Sequence, residues 1–346
     1  MLACHLTGCT LPSLVLWTQS PCPTPSFLGP TGLLGSNSLA FMPSVLNSTN
    51  VLNFQASLGV LANIFLLFFY TFIILGHRPK PTDMISCHQT FIHIVLLLTG
   101  TDIWLWDIFE SLNFENDFKC KTNFYINRVM RGLSICITCL LSVFQAVTIS
   151  PSSSFLAKFK YKLQNHMISV FLFIWSFNLL FSSYHIFYIG AFTNVSETNQ
   201  MKITKSCSLF PMNYIIKVFI LTVATSRDVF LIGVMLTMSA YTVIILFRHQ
   251  RQCQYLHSLS YPRTSPEKRA TQTILLLVVS FVILYWVDFI ISSTAVLLWM
   301  YNPVIPSVQK FVMNVYPTIT PLIQISSDNR ITNMLKKHSV CVPPYF

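Results

Sequence analysis

Seven Asp and Arg side chains lie inside stretches that are otherwise almost wholly apolar: Asp102, Asp107, Arg128, Arg131, Arg227, Asp228 and Asp288. Holding such a group at the centre of a bilayer costs about 2.5–3.5 kcal/mol even on the gentlest scale. Each therefore needs an ionic partner or a polar cavity. The chemistry open to the set is ion pairing and recognition of a ligand's polar groups. Arg128 and Arg131 are three apart and share a helical face with Phe124 and Ile135. Adjacent helical residues point about 100° apart, so Arg227 and Asp228 are expected to find partners on other helices rather than in each other. One reading is an interhelical ion-pair network, such as Arg128 or Arg131 with Asp102, Asp228 or Asp288. The other is the polar lining of a small-molecule pocket with aromatic and aliphatic walls. Its candidates are Asp102, Phe124, Arg128, Arg131, Arg227, Asp228, Tyr285, Trp286 and Asp288. Lys217 and Lys310 sit near stretch ends, where they can snorkel to water.

No covalent chemistry is in sight. The chain has no Gly-rich phosphate loop, no His-Glu-x-x-His and no Gly-x-Ser-x-Gly, so no catalytic residue, metal or cofactor is expected. Cys136-Ile137-Thr138-Cys139 has the spacing of a redox or zinc pair. It falls mid-stretch with no further Cys or His at ligand spacing, which makes these cysteines small packing residues.

Seven apolar stretches carry the charged groups, at 51–75, 84–109, 122–149, 166–190, 213–247, 270–300 and 305–326. Each is long enough to cross a ~30 Å hydrocarbon core as a helix rising about 1.5 Å per residue. The segments at 76–83, 150–165 and 248–269, with the tail from 327, carry 2, 3, 5 and 3 Lys/Arg. The N-terminal 50 residues and the remaining loops carry only four, Lys119, Lys121, Lys202 and Lys205. Positive charge is retained on the cytoplasmic side. The reading is an all-α membrane protein, a seven-transmembrane helix bundle with its N-terminus outside and its C-terminus inside. It divides into an extracellular, disordered N-terminal segment (1–50), a transmembrane domain (51–326) and a short cytoplasmic tail (327–346).

Composition agrees. A chain 53% hydrophobic and 10% charged departs from soluble domains, where about a quarter of residues are charged. The net charge of +11 is accounted for by loops facing anionic lipid, so no nucleic-acid partner is expected. Beyond the N-terminal segment, Cys120 and Cys207 are the cysteines placed outside, where a disulfide is permitted; it would staple the loop after the fourth stretch over the mouth of the bundle. Asn47 and Asn194 head glycosylation tripeptides on that side. Thr82-Asp83 is expected to open the second helix. The lone Asn63 should bond to backbone or a neighbouring helix.

The inner ends of the third and sixth stretches are more specific. The third closes with Ser142-Val-Phe-Gln-Ala-Val-Thr-Ile-Ser-Pro151 and then Leu156-Ala-Lys-Phe-Lys160. The sixth opens from Pro262-Arg-Thr-Ser-Pro-Glu-Lys-Arg-Ala-Thr-Gln-Thr-Ile-Leu-Leu-Leu277, and the seventh carries Tyr316-Pro-Thr-Ile-Thr-Pro321. With Lys80-Pro-Thr-Asp83 and Arg128-Val-Met-Arg-Gly132, these strongly resemble the vomeronasal type-1 receptors, seven-helix G-protein-coupled receptors for pheromone-like chemicals. The resemblance covers about residues 50 to 330. The chain departs from the wider rhodopsin-like receptors, as that family does. Phe144-Gln145-Ala146 stands where they carry acid-Arg-aromatic, His93 lies where they carry an Asp, and Cys-Trp-x-Pro and Asn-Pro-x-x-Tyr are missing.

The resemblance implies a plasma-membrane chemosensory receptor that binds a small pheromone-like molecule in the outer half and activates a heterotrimeric G protein. Gln145, Lys158, Lys160, Arg248, Arg251, Lys268 and Arg269 are the candidate G-protein contacts. The same basic residues read more plainly as topology and lipid contacts. In the tail, Arg330 to Lys337 reads as a short interfacial helix with Ile331, Met334 and Leu335 towards lipid. The rivals are a multispan transporter, a channel, or a receptor-like protein with little function left. An odd span count argues against transporter repeats, and no filter-like segment supports a channel.

Overall fold

The computed structural model describes residues 37–76, 80–101, 116–151, 155–191, 201–202, 207–209, 213–256, 266–298 and 304–340. By compactness the chain divides into Met1–Ser44 and Val45–Phe346, and the account below concerns the second unit. The protein is mostly helical, with several apolar helices. They are α1 (Asn37–Gly76), α2 (Pro81–Gly100), α3 (Asn116–Ile149), α4 (Phe155–Asn165), α5 (Met167–Ser182) and α6 (His185–Tyr188). After a small sheet come α7 (Tyr214–Leu256), α8 (Pro266–Leu298), α9 (Val304–Ser327) and α10 (Asn329–Val340).

Apolar side chains cover the outside. Phe54, Phe68 and Phe72 on α1 are 73%, 73% and 76% exposed, whereas Asn63 on the same helix is buried and donates to Gly59 O and Pro317 O, both at 2.8 Å. Polar groups buried under an apolar surface suit a lipid solvent, which cannot satisfy exposed amides. Helix α3 is the hub and touches α2, α4, α5, α6, α7, α8 and the first strand. Of its most apolar window 72% is buried, against 22% for α1 and 17% for α7.

Local rules set the ends. The second helix opens on Pro81, one residue ahead of the Thr82-Asp83 expectation. A proline is pre-shaped for the first helical position and loses no bond there. Asp83 sits at the third position and accepts from the Lys80 N–H at 3.4 Å. The helix closes at Gly100, where the Thr101 hydroxyl and N–H both donate to Leu97 O; the expected continuation to 109 lies outside the described residues. The long helix of the fourth stretch ends at Ser182. After the short α6 the chain enters β1 (Ile189–Ala191), which pairs antiparallel with β3 (Cys207–Leu209), and β3 pairs with β2 (Met201–Lys202).

Parts of two segments expected to be loops are helical instead. Residues 155–165 form α4, and α7 runs on to Leu256, so Arg248 and Arg251 lie on a helix. Lys268 and Arg269 lie in the first turns of α8. Charged residues do not end a helix that has left the membrane, because Lys and Arg are good helix formers. Helix α1 begins at Asn37, so residues 37–50 are helical where an unstructured segment was expected. In the tail, α10 forms, but Ile331 is fully buried against Leu66 and Tyr70 of α1 rather than facing lipid. Arg330 explains the rotation, since it donates to Asp83 Oδ1 at 2.9 Å and Oδ2 at 3.3 Å and thereby presses α10 onto the start of α2.

Candidate functional site

Four residues within about two turns of α3, Arg128, Arg131, Gly132 and Ile135, line one side of a cavity near the disulfide end of the bundle. The 3.6-residue repeat puts these positions on one face. The cavity has room of about 70 Å³, several times the roughly 10–15 Å³ that admits one water. The facing wall comes from α7 and α8, through Arg227, Asp228 and Tyr285, and from the end of α5 through Phe181.

Two ion pairs organise the charges. Arg131 pairs with the buried Asp288 of α8, and Gln309 of α9 donates to Asp288 Oδ1 at 3.3 Å. Helices α3, α8 and α9 are thereby joined through one carboxylate. The second pair corrects the expectation from helical geometry. Arg227 bonds to its own neighbour, with Nε 2.7 Å and Nη2 2.6 Å from Asp228 Oδ1. An arginine side chain is long enough to fold back across the roughly 100° between adjacent positions, and in a water-poor interior the nearest carboxylate wins. Partners from other helices add to the pair without replacing it. The Tyr285 hydroxyl donates to Asp228 Oδ2 at 2.5 Å. Arg227 Nη1 donates to Asn178 Oδ1 at 3.5 Å, and its guanidinium lies 4.3 Å from the centre of the Phe181 ring, within cation–π range.

Gly132 makes this approach possible. A Cβ built there would collide with Asn178 Oδ1 and come within 3.4 Å of Arg227 Nη1. Glycine is required by the space rather than by backbone angle.

Of the sequence candidates, Arg128, Arg131, Arg227, Asp228 and Tyr285 line the cavity. Asp288 sits behind Arg131 and sets its position. Two candidates fall elsewhere. Phe124 packs on Cys120, Ile189 and Cys207, where the disulfide joins α3 to β3. Trp286 is 43% exposed and meets Phe289 edge-on at 5.9 Å, because the residue after Tyr285 must point well away from it. Asp102, Asp107 and Asn194 lie outside the described residues. So do the side chains of Asn47, Lys158, Lys268 and Arg269. At the tail end Lys160, Arg248 and Arg251 are exposed, and Gln145 is half-buried near the close of α3.

Sequence reading missed Phe181, Tyr184, Thr225 and Ser293, all of which line the cavity. Neutral aromatics and hydroxyls in an apolar helix carry no signal that separates lining from lipid contact. Cys136 and Cys139 are free and buried, as packing residues should be.

Comparison with known proteins adds a family. The vomeronasal organ pheromone receptor family matches residues 46–337. Vomeronasal type-1 receptor 90 of Rattus norvegicus is 41% identical over 286 residues, 82% of this chain and 91% of its own. Vomeronasal type-1 receptor 100 of the same species is 38% identical over 298 residues, 86% and 90% of the two chains. Vomeronasal type-1 receptor 45 of Mus musculus is 37% identical over 292 residues, 84% and 91%. The family match stretches from a point within α1 into α10.

Proposed function

The chain belongs to the vomeronasal type-1 receptor family, and from that membership we propose that it detects a small pheromone-like molecule in the cavity near the disulfide and signals through a heterotrimeric G protein. It is a chemosensory receptor of the plasma membrane, a role that needs binding rather than catalysis. In the proposed arrangement the seven apolar stretches span the bilayer, with the disulfide end outside and the tail inside. Asn47, ahead of the first stretch, and Asn194, after the fourth, are then the outer glycosylation sites of a bundle that ends near 326. The tail-end surface would meet the G protein through Gln145, Lys158, Lys160, Arg248, Arg251, Lys268 and Arg269.

The observation that carries this reading is the cavity, where α3, α7 and α8 bring paired charges and aromatic rings to a single place. Ion pairs that link helices are sensitive to a guest that competes for one of their members. Such a guest shifts the receptor only if it binds one arrangement of helices better than the other. Moving the population from 1:99 to 99:1 takes about 5.5 kcal/mol of preference.

The test is expression with a promiscuous G protein and a screen of volatile and steroid-like compounds, read as intracellular calcium. A receptor that reaches the surface and answers no compound through any G protein removes the support for coupling. Once an agonist is in hand, Asp228→Ala separates recognition from packing. A lost response at normal surface level places Asp228 in recognition, and lost surface protein places it in packing.

A further inference from the structure

A second polar cluster lies deeper in the bundle, away from the cavity. Gln89 of α2 donates through Nε2 to the Tyr316 hydroxyl of α9 at 3.0 Å and to Thr138 Oγ1 of α3 at 3.4 Å. Thr138 Oγ1 already donates to Ser134 O at 2.8 Å, so in its 3.1 Å contact with Tyr316 the phenol is the donor. The three side chains close a triangle that joins three helices. Tyr316 immediately precedes Pro317, and Pro321 follows one turn later. Pro321 has no N–H to offer the Pro317 carbonyl, and Asn63 of α1 supplies the missing donor. The triangle therefore grips α9 where its own backbone bonding is weakest.

The triangle leaves three buried atoms unmatched. Gln89 Oε1, His93 Nε2 and Ser134 Oγ have no hydrogen-bond partner among the described residues. Gln89, His93 and Ser134 are 1%, 1% and 3% exposed. Helices α2 and α3 run antiparallel here, since Gln89 meets Thr138 and Thr99 meets Asn127. One turn from Gln89 and one turn from Thr138, both towards the disulfide end, His93 and Ser134 therefore face each other. The His93 ring also meets Tyr316 edge-on at 5.3 Å. Unmatched buried polar atoms carry their full desolvation cost. A water needs two to four polar partners to be held, and this cluster offers them. No side chain in it carries a carboxylate, so a cation would go unneutralised, and a neutral water fits.

We propose that Gln89, His93 and Ser134 hold an ordered water beside the Tyr316 triangle, and that this hydrated clamp fastens the proline-weakened turn of α9 to α2 and α3. The clamp stands on the packing alone and does not depend on the receptor reading above.

Ser134→Ala gives opposite results with and without the water. If the hydroxyl is a water ligand, its loss lowers the melting temperature of the purified receptor by about 2 °C or more. It also speeds hydrogen exchange of the 313–321 segment by about fivefold. If the hydroxyl is simply unmatched, alanine leaves the melting temperature unchanged or raises it and leaves exchange untouched, which overturns the proposal. His93→Phe keeps the ring and removes Nε2, so it reads the same sign if the alanine variant fails to accumulate. Failure of the receptor reading shows itself separately, as a folded surface protein that displays these shifts and still signals to no compound.

Discussion

Two polar layers cross this bundle, and they are built on different chemistry. The layer near the disulfide is ionic: Arg131 with Asp288, and Arg227 with Asp228, closed by Tyr285 and Gln309. The layer around Tyr316 is neutral, made of amide, hydroxyl and phenol groups. The ionic layer joins four helices, α3, α7, α8 and α9, and the neutral layer three, α2, α3 and α9. They differ in what happens when one member leaves. A neutral layer loses hydrogen bonds of modest net worth, whereas an ionic layer strands a charge in a medium that cannot solvate it. Under the function proposed above, that asymmetry makes the ionic layer the one in which a small guest competing for one charge would move helices. The neutral layer is suited to holding α9 in register.

The largest predicted effect follows from this difference. Asp288→Ala strands the Arg131 guanidinium and should cost about 3–5 kcal/mol, seen as loss of surface receptor by flow cytometry and of thermal stability in detergent. Joining Arg131→Met to Asp288→Leu should recover most of the loss, since a well-packed apolar pair is often as stable as the buried ion pair it replaces. If the double variant is no better than the single, the ionic layer is held by more than charge balance.

Much of the ionic layer was legible in the sequence, because Asp and Arg inside apolar stretches are rare and expensive enough to announce themselves. The Arg131–Asp288 link was among the pairings the residues allowed. Arg227 and Asp228 were legible as cavity-lining candidates but not as a pair, since helical geometry alone ignores the reach of an arginine side chain. The neutral layer was far less visible. Gln89, Thr138 and Tyr316 are ordinary helix residues, and only packing shows that they meet. The strand pairing at Cys207 and the extension of α7 to Leu256 escaped because neither apolar periodicity nor charge marks where a helix must stop.

A smaller effect is expected at Gly132. Gly132→Ala drives a methyl group into Asn178 Oδ1 and should cost about 1–3 kcal/mol, the usual range for overpacking. Asn178→Ala in the same chain removes the obstructing atom. The double variant should therefore melt higher than the sum of the two single effects allows, because residues in contact are not additive. Additive losses would mean that α3 and α5 separate to admit the methyl group, and that the ionic layer does not depend on their closeness.

Tyr316→Phe tests the neutral layer. It removes the acceptor for Gln89 and the donor for Thr138 and should cost about 1–2 kcal/mol, clearly less than Asp288→Ala, with thermal melting as the measure. An equal or greater loss would erase the distinction between the layers.

The smallest effect is expected where an ion pair meets water. Arg330 of α10 pairs with Asp83 and Asp328, both at 2.9 Å, and its side chain is 43% exposed. Hydrogen bonding to Asp83 holds its guanidinium above the ordinary arginine range, so the arginine itself brings no pH dependence across conditions where the protein is handled. Asp83 is buried, its side chain 4% exposed, but the guanidinium end of the pair opens to water, which can take the arginine's place, so Arg330→Ala should cost about 1 kcal/mol, well short of Asp288→Ala. Raising salt to about 1 M, where the screening length falls to about 3 Å, should shrink the gap between variant and parent. The Asp288→Ala gap should persist under the same salt, because bulk ions do not reach a buried pair. If both gaps closed together, burial would not be what separates the two kinds of charge in this receptor.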